Sequence, residues 1–256
     1  MSLVIKYGGN AMTDRDTRAA VAAGVRGLAS AGVPPVLVHG GGPNIAAALD
    51  AQGIEHRFVR GLRVTNDAAM EVVETVLTML GKELAYEVGP AVSLTGRDAR
   101  LLLAERIGEE LGRVGRVAAV DTTVLSVLRD GGLVPVVASV GMEMAAGRPG
   151  TSLNVNADEA AGAIAGALGE GAVFLTNVPG VLDDPDDAES LIPELGAASA
   201  RERIADGRIA GGMIPKVEAA LFALEQGAPF AAIADGRHPD GVRDALAGSG
   251  TRLLPD

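Results

Sequence analysis

Short apolar runs that end in glycine alternate along this chain with longer alanine-rich segments, and that alternation leaves few folds open to it. Leu3 to Tyr7, Pro35 to His39, Val134 to Ser139, Val173 to Asn177 and Phe230 to Ala234 read as strands. Asp16 to Ala31, Pro43 to Gln52, Asp67 to Glu87, Thr122 to Asp130, Ala157 to Leu168, Ala197 to Asp206 and Ile214 to Gln226 read as helices by apolar spacing and propensity. Strands that recur between helices build an open, mostly parallel sheet of the α/β class. The middle differs: Arg57 to Thr65 reads as a hairpin turning at Gly61, and Ala91 to Val120 as several short strands. No linker rich in Pro, Ser and Gly divides the 256 residues, so the chain forms one large domain or two closely joined lobes.

Composition removes several classes of function. With four Phe, two Tyr and no Trp, the core is aliphatic and stacking platforms for single-stranded nucleic acid are absent. A net charge of -11, from 22 Lys and Arg against 33 Asp and Glu, repels nucleic acid and anionic membrane surfaces, so neither is expected as a partner. Without Cys there is no disulfide, thiolate nucleophile or thiolate-held metal, and His39, His56 and His238 lack metal-ligand spacing. Asp183 to Asp187 reads as a solvated loop in preference to a metal cage. No signal peptide and no long apolar span is visible, so a cytoplasmic protein is expected.

In open parallel sheets ligands bind beyond the carboxyl ends of the strands, where glycine lets backbone N–H groups approach phosphate. Four predicted strands end in such loops: Lys6-Tyr-Gly-Gly-Asn10, His39-Gly-Gly-Gly-Pro43, Ser139-Val-Gly141 and Thr176-Asn-Val-Pro-Gly180. Each alone could be a simple strand end; together they suggest an anion-binding edge. Neither a P-loop nor a dinucleotide fingerprint is present. Gly40 to Gly42 stand before Pro43, which suits a helix start aimed at the cleft, although a tight turn would use the same residues.

Two lysines are electrostatically misplaced. Lys6 interrupts the apolar run Leu3 to Tyr7 and needs an anion near it, either a phosphate or a structural carboxylate, unless it snorkels to the surface. Lys216 falls in the first turn of a predicted helix, where the dipole disfavours a cation unless an anion is held nearby. In Asn154-Val-Asn-Ala-Asp158, Asn156 can cap the following helix, with Glu159 as the reaching partner of a capping box. A functional reading instead gives Asn154 to substrate and lets Asp158 orient both lysines. Arg63 could hold a substrate carboxylate by paired hydrogen bonds, with Arg57 and Arg60 as unranked competitors.

Lys6-Tyr-Gly-Gly-Asn-Ala-Met12, Val38-His-Gly-Gly-Gly-Pro43 and Gly61-Leu-Arg-Val-Thr65 resemble, in order and spacing, successive motifs of the acetylglutamate kinases in the amino acid kinase family. Asn154 to Asp158, Leu175 to Val181, Gly211 to Val217 and Gly250 to Leu253 carry the resemblance across essentially the whole chain.

The resemblance implies a three-layer αβα sandwich about a mainly parallel sheet. It implies an amino-acid lobe over about residues 1–170 and an ATP lobe over about 171–256. It gives Lys6, Asp158 and Lys216 to catalysis, and Gly41, Gly42, Arg63 and Asn154 to N-acetyl-L-glutamate. Gly8, Gly9, Thr176, Asn177, Gly211, Gly212 and Met213 then go to ATP, with Mg²⁺ carried mainly by the nucleotide. Asn177 departs from the Asp that many members place before Val-Pro-Gly, which bears on nucleotide contacts. The start of the chain, without an N-terminal helical extension, implies a homodimer that arginine does not inhibit.

The implied reaction joins two anions, so holding them in line and neutralising charge is the main task, and an ionised carboxylate needs no general base. Closure of the lobes is expected to keep water from the acyl phosphate. Within the family, the alternative is a kinase for carrier-protein-bound aminoadipate or glutamate. Aspartate kinase and glutamate 5-kinase are disfavoured by where the chain ends. From another class the alternative is a non-catalytic nucleotide sensor, which would not need Lys6, Asp158 and Lys216 together.

Overall fold

A computed structural model describes residues 3–8, 12, 14–144, 150–184, 186–187, 189–237 and 240–256. Its first half contains strands β1 (Leu3–Tyr7), β2 (Val36–His39), β3 (Phe58–Val59), β4 (Leu62–Arg63), β5 (Ala91–Thr95), β6 (Leu102–Arg106) and β7 (Val114–Val120). Helices α1 (Arg15–Ser30), α2 (Gly42–Ala51), α3 (Asp67–Val88) and α4 (Thr123–Asp130) run between them. The second half adds β8 (Val134–Ala138), β9 (Val140–Glu143), β10 (Ser152–Val155), β11 (Gly171–Thr176), β12 (Glu194–Gly196), β13 (Ala231–Asp235) and β14 (Thr251–Leu254). Its helices are α5 (Ala157–Leu168), α6 (Ala197–Ala205), α7 (Ile214–Glu225) and α8 (Gly241–Ala247).

The main sheet has eight strands in the order β12-β14-β13-β11-β1-β2-β8-β5. The pairs from β13 to β5 are all parallel, and the chain reverses where β14 lies antiparallel to β13. Period-two alternation divides β1 between two cores. Leu3, Ile5 and Tyr7 join Leu37, Val136 and Val173 beneath α1, α2, α3 and α8. Val4 joins Val36, Val38, Val137 and Phe174 beneath residues of α4, α5, α6 and α7. Helices cover both faces because a parallel sheet is apolar on both, and the expected αβα sandwich is the result. No helix among the described residues is long and apolar enough to cross a membrane.

Strands β10, β7, β6 and β9 close into a small barrel beside the sheet. This corrects the reading of Ser139-Val-Gly141 as a loop: Ser139 alone separates β8 from β9. Gly141 sits in the barrel wall, where an added Cβ would lie 2.9 Å from Ala104 Cβ and 3.0 Å from Val155 Cγ2. The hairpin of β3 and β4 turns at Arg60 and Gly61, both at positive φ (50° and 77°), as a tight two-residue turn demands.

Candidate functional site

The parallel register places the ends of adjacent strands side by side. Lys6 aligns with Val38 on one flank and Phe174 on the other, while His39 aligns with Ala138. The carboxyl ends of β1, β2 and β8 therefore share one edge of the sheet, and a cleft of about 440 Å³ lies there. Lys6, Gly8, Gly40, Gly41, Gly42, Arg63, Asn154 and Asp158 line it, together with Phe58 and Ser139.

Lys6 emerges from the end of β1, and its Nζ lies 2.9 Å from Asp158 Oδ1 at the start of α5. The lysine side chain is 14% exposed and the carboxylate 35%, so the pair is shielded yet open to a ligand from the cleft. Asn156 caps α5, accepting from the N–H groups of Asp158 (2.7 Å) and Glu159 (3.3 Å), which fixes where Asp158 points. Glu159 does not complete a capping box. Its carboxylate instead accepts from Val117 N of β7 at 2.5 Å, tying helix to barrel, and burial pushes its pKa up.

The glycine loop before α2 has no side-chain cap, and Pro43 stands in its first turn. The helix start thus keeps open N–H groups at the cleft. Gly40 and Gly41 are closely packed: a Cβ on Gly40 would come within 3.2 Å of Ala157 Cβ, and one on Gly41 within 2.6 Å of Leu80 Cδ1, which would have to move aside. His39 lies fully buried behind the loop, its Nδ1 3.1 Å from Gly40 O. Burial lowers its pKa to about 4, opposed by the Gly40 bond, so the imidazole is neutral.

The structure ranks the three arginines. Arg57 and Arg60 are exposed, whereas Arg63 is buried and lines the cleft. Its Nη2 donates to Gly42 O at 3.1 Å and its Nη1 lies 2.8 Å from His56 Nδ1. The guanidinium also lies over the Phe58 ring, 4.7 Å from the centroid. Asn154, on β10, donates from Nδ2 to Thr65 Oγ1 at 3.1 Å, and Thr65 in turn donates to Arg63 O at 2.8 Å. Arg63 and Asn154 are therefore positioned by one buried network.

A second cleft, of about 550 Å³, is lined by Asn177 to Leu182 and by Arg208 to Met213 with Lys216. Here α7 also begins without a side-chain cap, preceded by the turn Gly211–Met213. Lys216 Nζ donates to Gly212 O at 2.8 Å, so the structure joins Lys6 to Asp158 but holds Lys216 on its own loop. Thr176 lies at the end of β11 and its hydroxyl braces the following turn at Val178. Buried Thr251 accepts from Val181 N at 2.8 Å and fixes the far end of that turn. Gly9 and His238 lie outside the described residues.

Sequence reasoning missed Phe58 and Arg208 among the lining residues, whereas Ser139 lines the cleft from the segment expected at the anion-binding edge. Phe58 and Arg208 carried no signal beyond proximity to Arg63 and Gly211.

The profile described as "Amino acid kinase family" matches residues 1–235. A protein of Deinococcus radiodurans named acetylglutamate kinase is 51% identical over 254 residues, covering 99% of this chain and 100% of that protein. Among solved structures, smu.665 from Streptococcus mutans superposes with a TM-score of 0.80 at 27% identity, covering 100% of this chain and 99% of that one. The carbamate kinase of Giardia lamblia bound to AMP-PNP shares the fold alone, with a TM-score of 0.72 at 18% identity over 100% of this chain and 98% of that one. With the parallel sheet, its glycine-lined edge and these likenesses together, the chain belongs to the amino acid kinase family, among the acetylglutamate kinases.

Proposed function

We propose that this protein transfers the γ-phosphoryl group of ATP to the γ-carboxylate of N-acetyl-L-glutamate, forming the acyl phosphate in arginine biosynthesis. One observation carries this: the Lys6–Asp158 pair stands in a glycine-lined cleft beside a buried arginine, in a chain 51% identical to an acetylglutamate kinase. The first cleft then takes the amino acid, with Arg63 and Asn154 on its carboxylate end and Gly41 and Gly42 offering N–H groups toward the reacting oxygens. The second cleft takes the nucleotide, through Asn177 and the open start of α7.

The lining residues support a division into an amino-acid lobe over about residues 1–170 and an ATP lobe beyond it. Those of the first cleft run from Lys6 to Asp158 and those of the second from Asn177 to Lys216. In this reading closure of the lobes carries Lys216 from Gly212 O toward the transferring phosphoryl group, where it and Lys6 neutralise developing charge. Asp158 keeps Lys6 aimed. The first cleft offers cations and main-chain N–H groups, with its one catalytic carboxylate already paired, and among the described residues no group of three or more His, Cys, Asp or Glu could hold a metal ion. Such a donor set suits Mg²⁺ held through the nucleotide's phosphates, where it would neutralise their charge.

Hydroxylamine trapping tests the reaction. With MgATP and a panel of N-acetyl-L-glutamate, L-glutamate, L-aspartate and N-acetyl-aminoadipate, hydroxamate is expected from N-acetyl-L-glutamate alone. ATP binding without hydroxamate from any free acid would overturn the assignment and favour the carrier-protein kinase or the sensor. A homodimer is the proposed assembly, supported by the exposed Met79 and Tyr86 on one face of α3. Sedimentation as a monomer would refute it.

A further inference from the structure

Arg63 is held by a neighbour whose protonation state the geometry dictates. A guanidinium carries donors only and stays charged at every pH a protein survives. At 2.8 Å from Arg63 Nη1, His56 Nδ1 must therefore be the acceptor and carry no proton. The imidazole hydrogen then sits on Nε2, which lies 3.2 Å from Asp50 Oδ1 and donates to it. The result is a relay from Asp50 of α2 through His56 to Arg63 of β4, and on to Gly42 O of the glycine loop. Phe58 closes it from β3, its ring edge-on to His56 at 6.4 Å and beneath Arg63. The charged groups at His56 are Asp50 and Arg63; its chain neighbours Glu55 and Arg57 are exposed.

We propose that His56 is a positioning residue for Arg63, and that protonation of its Nδ1 releases the guanidinium and weakens binding of the amino-acid substrate without altering phosphoryl transfer. The inference rests on the reading of Arg63 as the carboxylate clamp. A second proton on the ring turns the acceptor facing Nη1 into an N–H facing N–H and brings two cations together, so the bond is lost and Arg63 keeps only Gly42 O and the Phe58 face. The imidazolium meanwhile retains Asp50. Lys6 and Asp158 lie outside this relay, and Arg63 keeps its bond to Gly42 O, so the glycine loop stays held and the effect falls on KM.

The test compares wild type with H56N and H56A by following ADP formation over a range of N-acetyl-L-glutamate concentrations between about pH 5.5 and pH 8. The asparagine Oδ1 occupies the place of Nδ1 and accepts from Arg63, yet does not titrate in this range. Dividing the wild-type KM by that of H56N removes the ionisation of ATP and substrate. That ratio is expected to be near one at the alkaline end and to rise several-fold at the acid end, as the ring takes up its second proton. The kcat ratio stays flat, and H56A has a raised KM throughout. A KM ratio independent of pH, or an unchanged KM in H56A, overturns the proposal while leaving the kinase reading intact. Absence of wild-type turnover overturns both. Nitrogen-15 spectra of histidine-labelled protein at the alkaline end give a readout that needs no substrate: a bare Nδ1 and protonated Nε2 on His56 support the relay, and the opposite tautomer refutes it.

Discussion

Lys6 Nζ lies 2.9 Å from Asp158 Oδ1, so the first strand of the chain and the helix that follows the barrel meet in a single ion pair at the cleft. The carboxylate has no other described task there than to aim the ammonium group. Replacing it by Asn156's chemistry, as D158N, keeps the size and removes the charge. We expect kcat to fall by about 10²-fold, the scale for losing one preorganised electrostatic partner, with an unchanged circular dichroism spectrum. Turnover close to wild type would show that Lys6 is aimed by something else.

Lys216 is expected to act in the reaction without supporting the fold. Its described bond is to a carbonyl four residues back on its own turn. K216A should therefore melt near the wild-type temperature while losing about 10²- to 10³-fold in kcat. A large fall in melting temperature with kcat preserved would assign the residue to structure.

Gly166 makes the close approach of α5 to α7. An added Cβ would lie 2.1 Å from Gln226 O and 2.5 Å from Gln226 Cβ. Glycine to alanine inside a helix ordinarily stabilises by about 0.5–1 kcal/mol, but here the methyl group meets backbone that cannot turn aside. G166A is expected to destabilise by about 1–3 kcal/mol, the range for overpacking. Chemical denaturation would measure it, and a gain in stability would disprove the steric argument.

His39 makes stability depend on pH. Its pKa falls from 6.5 to about 4 because burial penalises the imidazolium. Between those values the unfolded chain binds more protons than the folded one, so stability rises with pH across that window and is lost as pH falls through it. The contribution is on the order of 3 kcal/mol when complete. Denaturant midpoints of wild type and H39N, compared at the two ends of the window, should differ in slope against pH; parallel slopes would contradict it.

Local signals made the strands of the main sheet legible. β1, β2, β8, β11 and β13 each end at glycine or a polar turn, and a single buried strand needs no knowledge of its neighbours to be read. β9 and β10 were not legible, because each exists only by pairing within a barrel whose members are far apart in sequence. β12 and β14 share that difficulty: short segments that form an edge by meeting each other. In the site, Lys6 advertised itself by being a cation in an apolar run, and the carboxylate that answers it could be nominated only through the helix start it occupies. Arg63 could not be separated from Arg57 and Arg60 until the turn at Gly61 fixed which of them faces inward. His56 and Phe58 gave no sign at all, since their role is defined entirely by Arg63.

The starts of α2 and α7, like those of α4, α6 and α8, have no side-chain cap, whereas α1, α3 and α5 are capped by Asp14, Asn66 and Asn156; only α2 and α7 of these uncapped helices begin with residues that line the two clefts described above. Where the clefts open, the first N–H groups of these helices have no side-chain cap. Anything anionic that settles there completes two helices as it binds, and by mass action it holds the whole domain folded. The melting temperature of this protein is thus itself a ligand detector, able to sort phosphates and carboxylates by chemistry before any turnover is seen.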